Sequence, residues 1–198
     1  MTSDAADPTS ELAAACAMWQ SGMEDGSSLI RGAARVLTGV PHYVTTDFIT
    51  GYEDRARQDP AALAAAKTLL AGVAHARPQD ADAWAAAGSL PPGGFAGRGL
   101  KPMPGKDEQI EQRLDSGEFP MPLWGLSLDR AVTAFYGTRF LLEVVGDFPA
   151  VPAWLASGIK DDEAELIAGG RYTVESIDRD GDRTHARLRW TGALEPIG

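Results

Sequence analysis

The sequence predicts an α+β chain: a helical N-terminal region over residues 1–89, then a strand-rich core over residues 90–198, together one compact unit. Three observations predict it. The first part is rich in Ala and carries apolar residues at helical spacing. Two alternating runs, Arg171 to Asp178 and Arg183 to Trp190, flank Asp180-Gly181, the pattern of an antiparallel hairpin. Strands do not alternate with helices in βαβ fashion, which argues against a parallel doubly wound sheet.

The elements follow in order. Thr9 or Ser10 can cap a helix that reaches about Gln20. Ser27 and Ser28 precede an apolar stripe through Leu29, Ile30, Ala33, Ala34 and Leu37, stopped by Gly39 and Pro41. Asp59-Pro60 opens the clearest helix, with proline in the first turn and Pro78 beyond the end. Asp80 can cap a short helix through Trp84 to Ala87. Residues 91–106, PPGGFAGRGLKPMPGK, read as a Pro/Gly-rich loop of the kind that links elements or holds ligands. Asp107 to Leu114 is a short polar helix. Pro120 to Ser127 is extended, and Asp129 caps the short helix RAVTAFY. Thr138 to Val145, TRFLLEVV, has the composition of a buried central strand. No internal repeat is present.

Composition narrows the function classes. The 198 residues are 44% hydrophobic and 23% charged, the balance of an ordinary folded chain rather than a disordered one. The formal net charge of -10 argues against general nucleic-acid binding, which needs phosphates neutralised by Lys and Arg. A single cysteine, Cys16, allows no intramolecular disulfide and no Cys-based zinc site, and His42, His75 and His185 lack metal-ligand spacing, so no metal is expected. No basic start precedes an apolar run, and the longest such run, Ala61 to Ala76, contains Lys67 and His75. Neither a secretory signal nor a span of about 20 apolar residues is expected, and the chain reads as cytoplasmic, in the producing cell or an infected host.

Three motifs stand in a telling order. Gly97-Arg98-Gly99-Leu100 follows an aromatic residue. Trp124-Gly125-Leu126-Ser127-Leu128-Asp129 is a strand that ends in Ser before a capped helix. Asp161-Asp162-Glu163-Ala164-Glu165-Leu166 runs into Ala168-Gly169-Gly170-Arg171-Tyr172-Thr173-Val174. Alone, each has a plain reading: Glu-x-Glu is usually two solvated carboxylates, Arg between glycines a loop residue, and Ser before Leu-Asp a helix cap. GFAGRG fits neither the P-loop nor the dinucleotide-binding glycine pattern. Together, over about residues 90–191, they resemble the mono-ADP-ribosyltransferases of the Arg–Ser–Glu type, found among bacterial toxins and bacteriophage enzymes that modify host proteins. The resemblance implies a mixed, mostly antiparallel, two-sheet core. It places Arg98 at the Arg position, Ser127 at the second Ser of Ser-x-Ser, and Glu163 and Glu165 at the two Glu positions. Gly125 stands where that family has the first Ser, which holds the nicotinamide ribose and orients the catalytic Glu. It implies NAD as co-substrate and a target protein as partner.

The residue types suit that chemistry. Cleaving the nicotinamide–ribose bond builds positive charge on the sugar, as in glycoside hydrolysis. A carboxylate such as Glu165 can bond the ribose 2′-hydroxyl and stabilise that charge. An arginine acceptor, with a pKa above about 12, needs a base as the new bond forms, the role expected of Glu163. In extended chain i and i+2 face the same side. Family members that modify arginine generally carry Glu at the upstream position, whereas Gln there goes with Asn or DNA-base acceptors. Arg98 can bind a pyrophosphate with its planar fork of donors, with Gly99 letting backbone approach the ligand. The expected activity is transfer of ADP-ribose from NAD to a protein arginine. Two alternatives predict different products: an NAD glycohydrolase on the same fold, and a binding module without catalysis, which Gly125 favours. Trp19, Trp84, Trp124, Trp154, Trp190 and Tyr136 read as core or packing anchors, and the three histidines as surface or internally bonded groups.

Overall fold

The computed structural model describes residues 8–21, 25–44, 46–75, 95–159 and 165–197. Four helices come first: α1 (Pro8–Gln20), α2 (Gly26–Thr38), α3 (Asp47–Arg57) and α4 (Pro60–His75). In α2 the expected stripe is buried at Leu29, Ile30, Ala33 and Ala34. Gly39 ends the helix at φ 67, donating its N–H to the Arg35 carbonyl. Asp59 caps α4 as expected, accepting from the Ala61 and Ala62 amides. Helix α3 was not foreseen. Its sequence, DFITGYEDRAR, holds an interior glycine and β-branched residues, and only Tyr52 and Ala56 are buried. Thr46 starts it by accepting from the Ile49 amide. The expected helix from Asp80 to Ala87 lies outside the described residues.

The second part contains β1 (Gly97–Leu100), α5 (Asp107–Asp115), β2 (Met121–Ser127), α6 (Arg130–Tyr136), β3 (Phe140–Val145), β4 (Ala150–Pro152), α7 (Ala153–Ser157), β5 (Glu165–Asp180) and β6 (Arg183–Gly192). The segment read as a Pro/Gly loop therefore contains a strand, β1, which pairs along its whole length with β3. Neighbouring backbone supplies the order that glycine-rich composition does not. The β5–β6 hairpin turns at Gly181 and Asp182, one residue later than read.

The sheet is mixed and mostly antiparallel, as expected. Its order is β2-β1-β3-β6-β5-β4, with only β3 and β6 parallel. A further pairing, β2 with β5, closes β2-β1-β3-β6-β5 into a ring. Among the described residues the six strands thus form one hydrogen-bonded system, with no division into two sheets in the pairing. The long strand β5 is the reason. Residues 165–170 pair with β2 and β4, and residues 171–180 pair with β6. The change of partners falls beside Gly169-Gly170. Gly170 has φ 137, where a side chain is strained, and a Cβ there would lie 2.5 Å from the Gly192 carbonyl oxygen.

Two apolar cores sit on the two faces of β2 and β5. Leu123, Val151, Ala153 and Ile167 pack with Ala15, Cys16, Trp19, Ile30, Ala66 and Leu69 of the helices. Trp124, Leu126, Leu166 and Ala168 pack into the other core with Phe119, Phe140, Leu142 and Leu188. Residues 121–126 of β2 are buried on both faces in consequence. Helices and strands share the first core, so neither part buries its own apolar surface alone. Burial pushes the Cys16 thiol in that core up to about 12.

A polar clamp holds α5 to the hairpin. Glu111 accepts from Arg139 at 2.9 Å, Thr184 at 2.7 Å and Arg179 at 2.9 Å. Burial pushes its carboxyl up, but the bonds from Thr184, Arg179 and Arg139 outweigh that and leave it below its ordinary value of 4.5. A depressed carboxyl contributes stability above its unfolded value, and that stability is lost as pH falls through the folded one. We therefore expect Glu111→Gln to unfold more readily than wild type at pH 7, by about 1–2 kcal/mol. The gap should narrow as the pH falls below about 4. Thermal unfolding across that range checks it; a gap independent of pH would contradict the clamp.

Candidate functional site

The strand register assembles the site. Ser127 of β2 pairs with Gly97 of β1 on one side and with Glu165 of β5 on the other, so three neighbouring strands meet in one row. Around that row lies an open cleft of about 220 Å³, lined by Gly97, Arg98, Gly99, Gly125, Leu126, Ser127 and Glu165, with Val132, Thr133 and Tyr136 of α6. Arg98, Gly99, Ser127 and Glu165, separated by up to 67 positions in the chain, thus face one space. Glu163 lies outside the described residues.

Each group has a local cause. Arg98 donates from Nη1 to the Gly125 carbonyl at 3.0 Å, which takes one of its five N–H donors and holds the guanidinium at the cleft. The Ser127 Oγ accepts from the Asp129 amide at 3.1 Å, and the Asp129 carboxylate accepts from the Ala131 and Val132 amides. Ser127 therefore fixes the start of α6 as well as lining the cleft. Gly99 is glycine for packing: a Cβ there would overlap the Thr133 carbonyl and the Gly137 amide and lie 2.8 Å from the Tyr136 carbonyl carbon. Helix α6 can come this close to β1 only because that side chain is missing.

Gly125 and Glu165 are fitted to each other. A Cβ on Gly125 would overlap Glu165 Oε1 and lie 2.9 Å from its Cδ. The carboxylate occupies the space that a side chain at 125 would need. Its other oxygen, Oε2, accepts from the Trp19 indole Nε1–H at 3.0 Å. Trp19 is 3% exposed at the end of α1. Sequence reading placed it in the core but found no sign of this bond, which spans 146 residues.

Behind Arg98 the helical part adds positive charge. Arg31, Arg35, His42 and Tyr43 line a small enclosed cavity of about 10 Å³ with Arg98 and residues 121–124 of β2. Arg31 donates to the Ser27 carbonyl and hydroxyl and to the Ser28 hydroxyl, and its guanidinium sits 5.8 Å over the Trp19 ring. Burial, and then Arg98 nearby, lower the Arg31 guanidinium to about 10, so it stays charged at neutral pH. Arg35 pairs with Glu53 at 2.7 Å. Burial, then Arg35, push His42 down to about 4, so it is neutral at pH 7. Its Nδ1 meets the backbone of Val44.

The structure revises one aromatic residue and keeps another. Tyr136, expected in the core, is 42% exposed at the cleft, because α6 is short and only Thr133 on it is buried. Phe135 packs edge-on against it, and Lys101 Nζ lies 5.2 Å from its ring centroid. Trp124 is core, fully buried, and donates to the Tyr172 hydroxyl at 3.1 Å. His185 bonds Glu143 at 2.9 Å, an internally bonded histidine as read. Among the described residues no group of three or more His, Cys, Asp or Glu could hold a metal ion. No described helix is long and apolar enough to cross a membrane.

No protein-family model and no curated protein matches the chain. Solved structures do. The ADP-ribosyltransferase Vis of Vibrio splendidus, in complex with the M6 inhibitor, is 18% identical over 94% of this chain and 77% of its own, with a TM-score of 0.50. Exoenzyme S of Pseudomonas aeruginosa, in complex with human 14-3-3 protein beta and bound to Carba-NAD, is 15% identical over 92% and 86%, with a TM-score of 0.44. The ADP-ribosyltransferase HopU1 of Pseudomonas syringae is 10% identical over half of this chain, which spans 46% of that protein, with a TM-score of 0.42. The likeness to Vis shows that this chain has the toxin-type ADP-ribosyltransferase fold.

We expect Gly125→Ala to keep the fold, since the new Cβ meets the end of a flexible side chain, with Tm lowered by less than about 5 °C. It should drive the Glu165 carboxylate off Trp19. A crystal structure of the variant with the Trp19–Glu165 bond intact would contradict the fit.

Proposed function

We propose that the protein transfers ADP-ribose from NAD to an arginine of a target protein and releases nicotinamide. The observation that carries this reading is the row Gly97–Ser127–Glu165, which puts a guanidinium, a hydroxyl and a carboxylate around one cleft. The toxin-type fold supports it. Arg98 holds the pyrophosphate of NAD through its fork of donors, and the cation Arg31 behind it favours the same anion. Gly99 and Ser127 line the ribose and nicotinamide side.

Glu165 bonds the ribose 2′-hydroxyl and faces the sugar carbon as the C–N bond to nicotinamide breaks. The leaving nicotinamide takes the bonding electron pair and becomes neutral, and the positive charge passes to the sugar, where the carboxylate stabilises it. The target guanidine nitrogen then bonds that carbon and gives up a proton. Glu163, two residues before Glu165, is the base in this reading, and Glu rather than Gln at that position is what points to arginine. The exposed Tyr136 adds an aromatic face beside the nicotinamide. The N-terminal helices, in this reading, cover the NAD cleft or help to select the target, and the reaction takes place in the cytoplasm of the producing or an infected cell.

Incubation with NAD labelled in the adenylate moiety and a bacterial lysate tests this. Wild type should label protein, and Glu165→Gln should lower both labelling and nicotinamide release at least a hundredfold. Glu163→Gln should lose protein label while still releasing nicotinamide to water. Release without label in wild type would make the protein a glycohydrolase. Neither label nor release would overturn the reading.

A further inference from the structure

We propose that Trp19 is a positioning residue for Glu165: its indole N–H, presented by the N-terminal helix, sets the direction of the carboxylate that faces the ribose. The inference rests on the reading of Glu165 given above and deepens it. Glu165 is the first residue of β5, where a long side chain has several rotamers to choose from. Gly125, two residues before Glu165's register partner Ser127 on β2, offers it space and no side-chain donor. The indole N–H fills that role from another element, at 3.0 Å to Oε2.

An indole suits this task for three reasons. It is a donor only, so it can hold the carboxylate but never take its proton. It is uncharged, so it orients the carboxylate without cancelling the negative charge that the sugar cation needs; a lysine or arginine at the same place would form an ion pair. It is also rigid and anchored. Trp19 packs in the core that joins helices and strands, and the Arg31 guanidinium lies over its ring within the range of a cation–π contact. The next residue, Gln20, bonds the Ser157 hydroxyl on α7. The end of α1 is therefore tied to α7 and to the start of β5. The helical region in this view is a working part of the site, since its packing decides where the carboxylate points. Among the described residues, Arg31 of α2 and Arg98 of β1 are charged groups that face Glu165 from neighbouring elements.

Two measurements on the full chain test the proposal. The first is steady-state nicotinamide release, which needs no target protein. Trp19→Phe keeps an aromatic ring in the core and removes the N–H. It should lower kcat roughly tenfold and leave KM for NAD within about twofold, because a misdirected carboxylate weakens the transition state more than the bound substrate. A packing role alone would raise KM or lower Tm and leave kcat in place. The second is an indole ¹⁵N–¹H spectrum of wild type and Glu165→Ala, which reads the bond whether or not Trp19→Phe folds. The Trp19 resonance, assigned through the backbone, should move upfield in Glu165→Ala while the other four tryptophans stay. An unmoved Trp19 resonance, or wild-type kcat in Trp19→Phe, overturns the positioning role and leaves the reading of Glu165 standing. A wild type that releases no nicotinamide overturns both.

Discussion

The carboxylate of Glu165 is held between an absence and a donor, and much of the molecule is arranged around that fact. The absence is Gly125, whose missing side chain leaves room for Oε1 and Cδ. The donor is the indole of Trp19. Neither would be in reach without the two packings that bring them there. β2 lies beside β5 through the pairing that closes the strand ring. Helix α1 lies against the other face of those strands because Leu123, Val151 and Ile167 share a core with its apolar side. A buried polar group without a partner costs about 1–3 kcal/mol. The indole N–H inside that core is bonded only because the carboxylate arrives at it, so fold and site stabilise each other.

The same logic explains the position of the arginines. Burial lowers the Arg31 guanidinium, and Arg98 lies close enough to disfavour the Arg31 charge further. They are tolerated because each spends donors on neutral oxygens, Arg31 on Ser27 and Ser28 and Arg98 on the Gly125 carbonyl. Arg31 also feels the Glu165 carboxylate, which favours its charge. The chain as a whole is acidic, with a net charge of -10, yet Arg31, Arg35 and Arg98 line one small cavity together. Around it the framework is braced by pairs that do no chemistry, above all Glu111 with Arg139, Arg179 and Thr184.

How much of this was legible in the sequence follows from how local each signal is. The Asp129 and Asp59 caps, the Gly39 stop and the hairpin around Gly181 are written in a few adjacent residues, and each was readable. Arg98, Ser127 and Glu165 stand out in the sequence only as an ordered set, and the strand register brings them to one cleft. What escaped depends on partners far away in the chain. Helix α3 is polar overall, with only Tyr52 and Ala56 buried, and packs against α2. β1 looks like a loop until β3 pairs with it. β4 and α7 are three and five residues long, too short to leave a pattern. Tyr136 looked like core because aromatics usually are, yet α6 turns it outward. Trp19 was read as an anchor, correctly, but nothing near it signals a partner 146 residues on.

One cleft should receive one dinucleotide, and the most direct test is a crystal structure of the full chain with a non-hydrolysable carba analogue of NAD. The account predicts the pyrophosphate within hydrogen-bond distance of Arg98 and the nicotinamide-side ribose hydroxyl within hydrogen-bond distance of Glu165. The Trp19 indole should still be bonded to the other carboxylate oxygen. An analogue bound elsewhere, or one that reaches Arg98 with Glu165 turned away from the ribose, would contradict it.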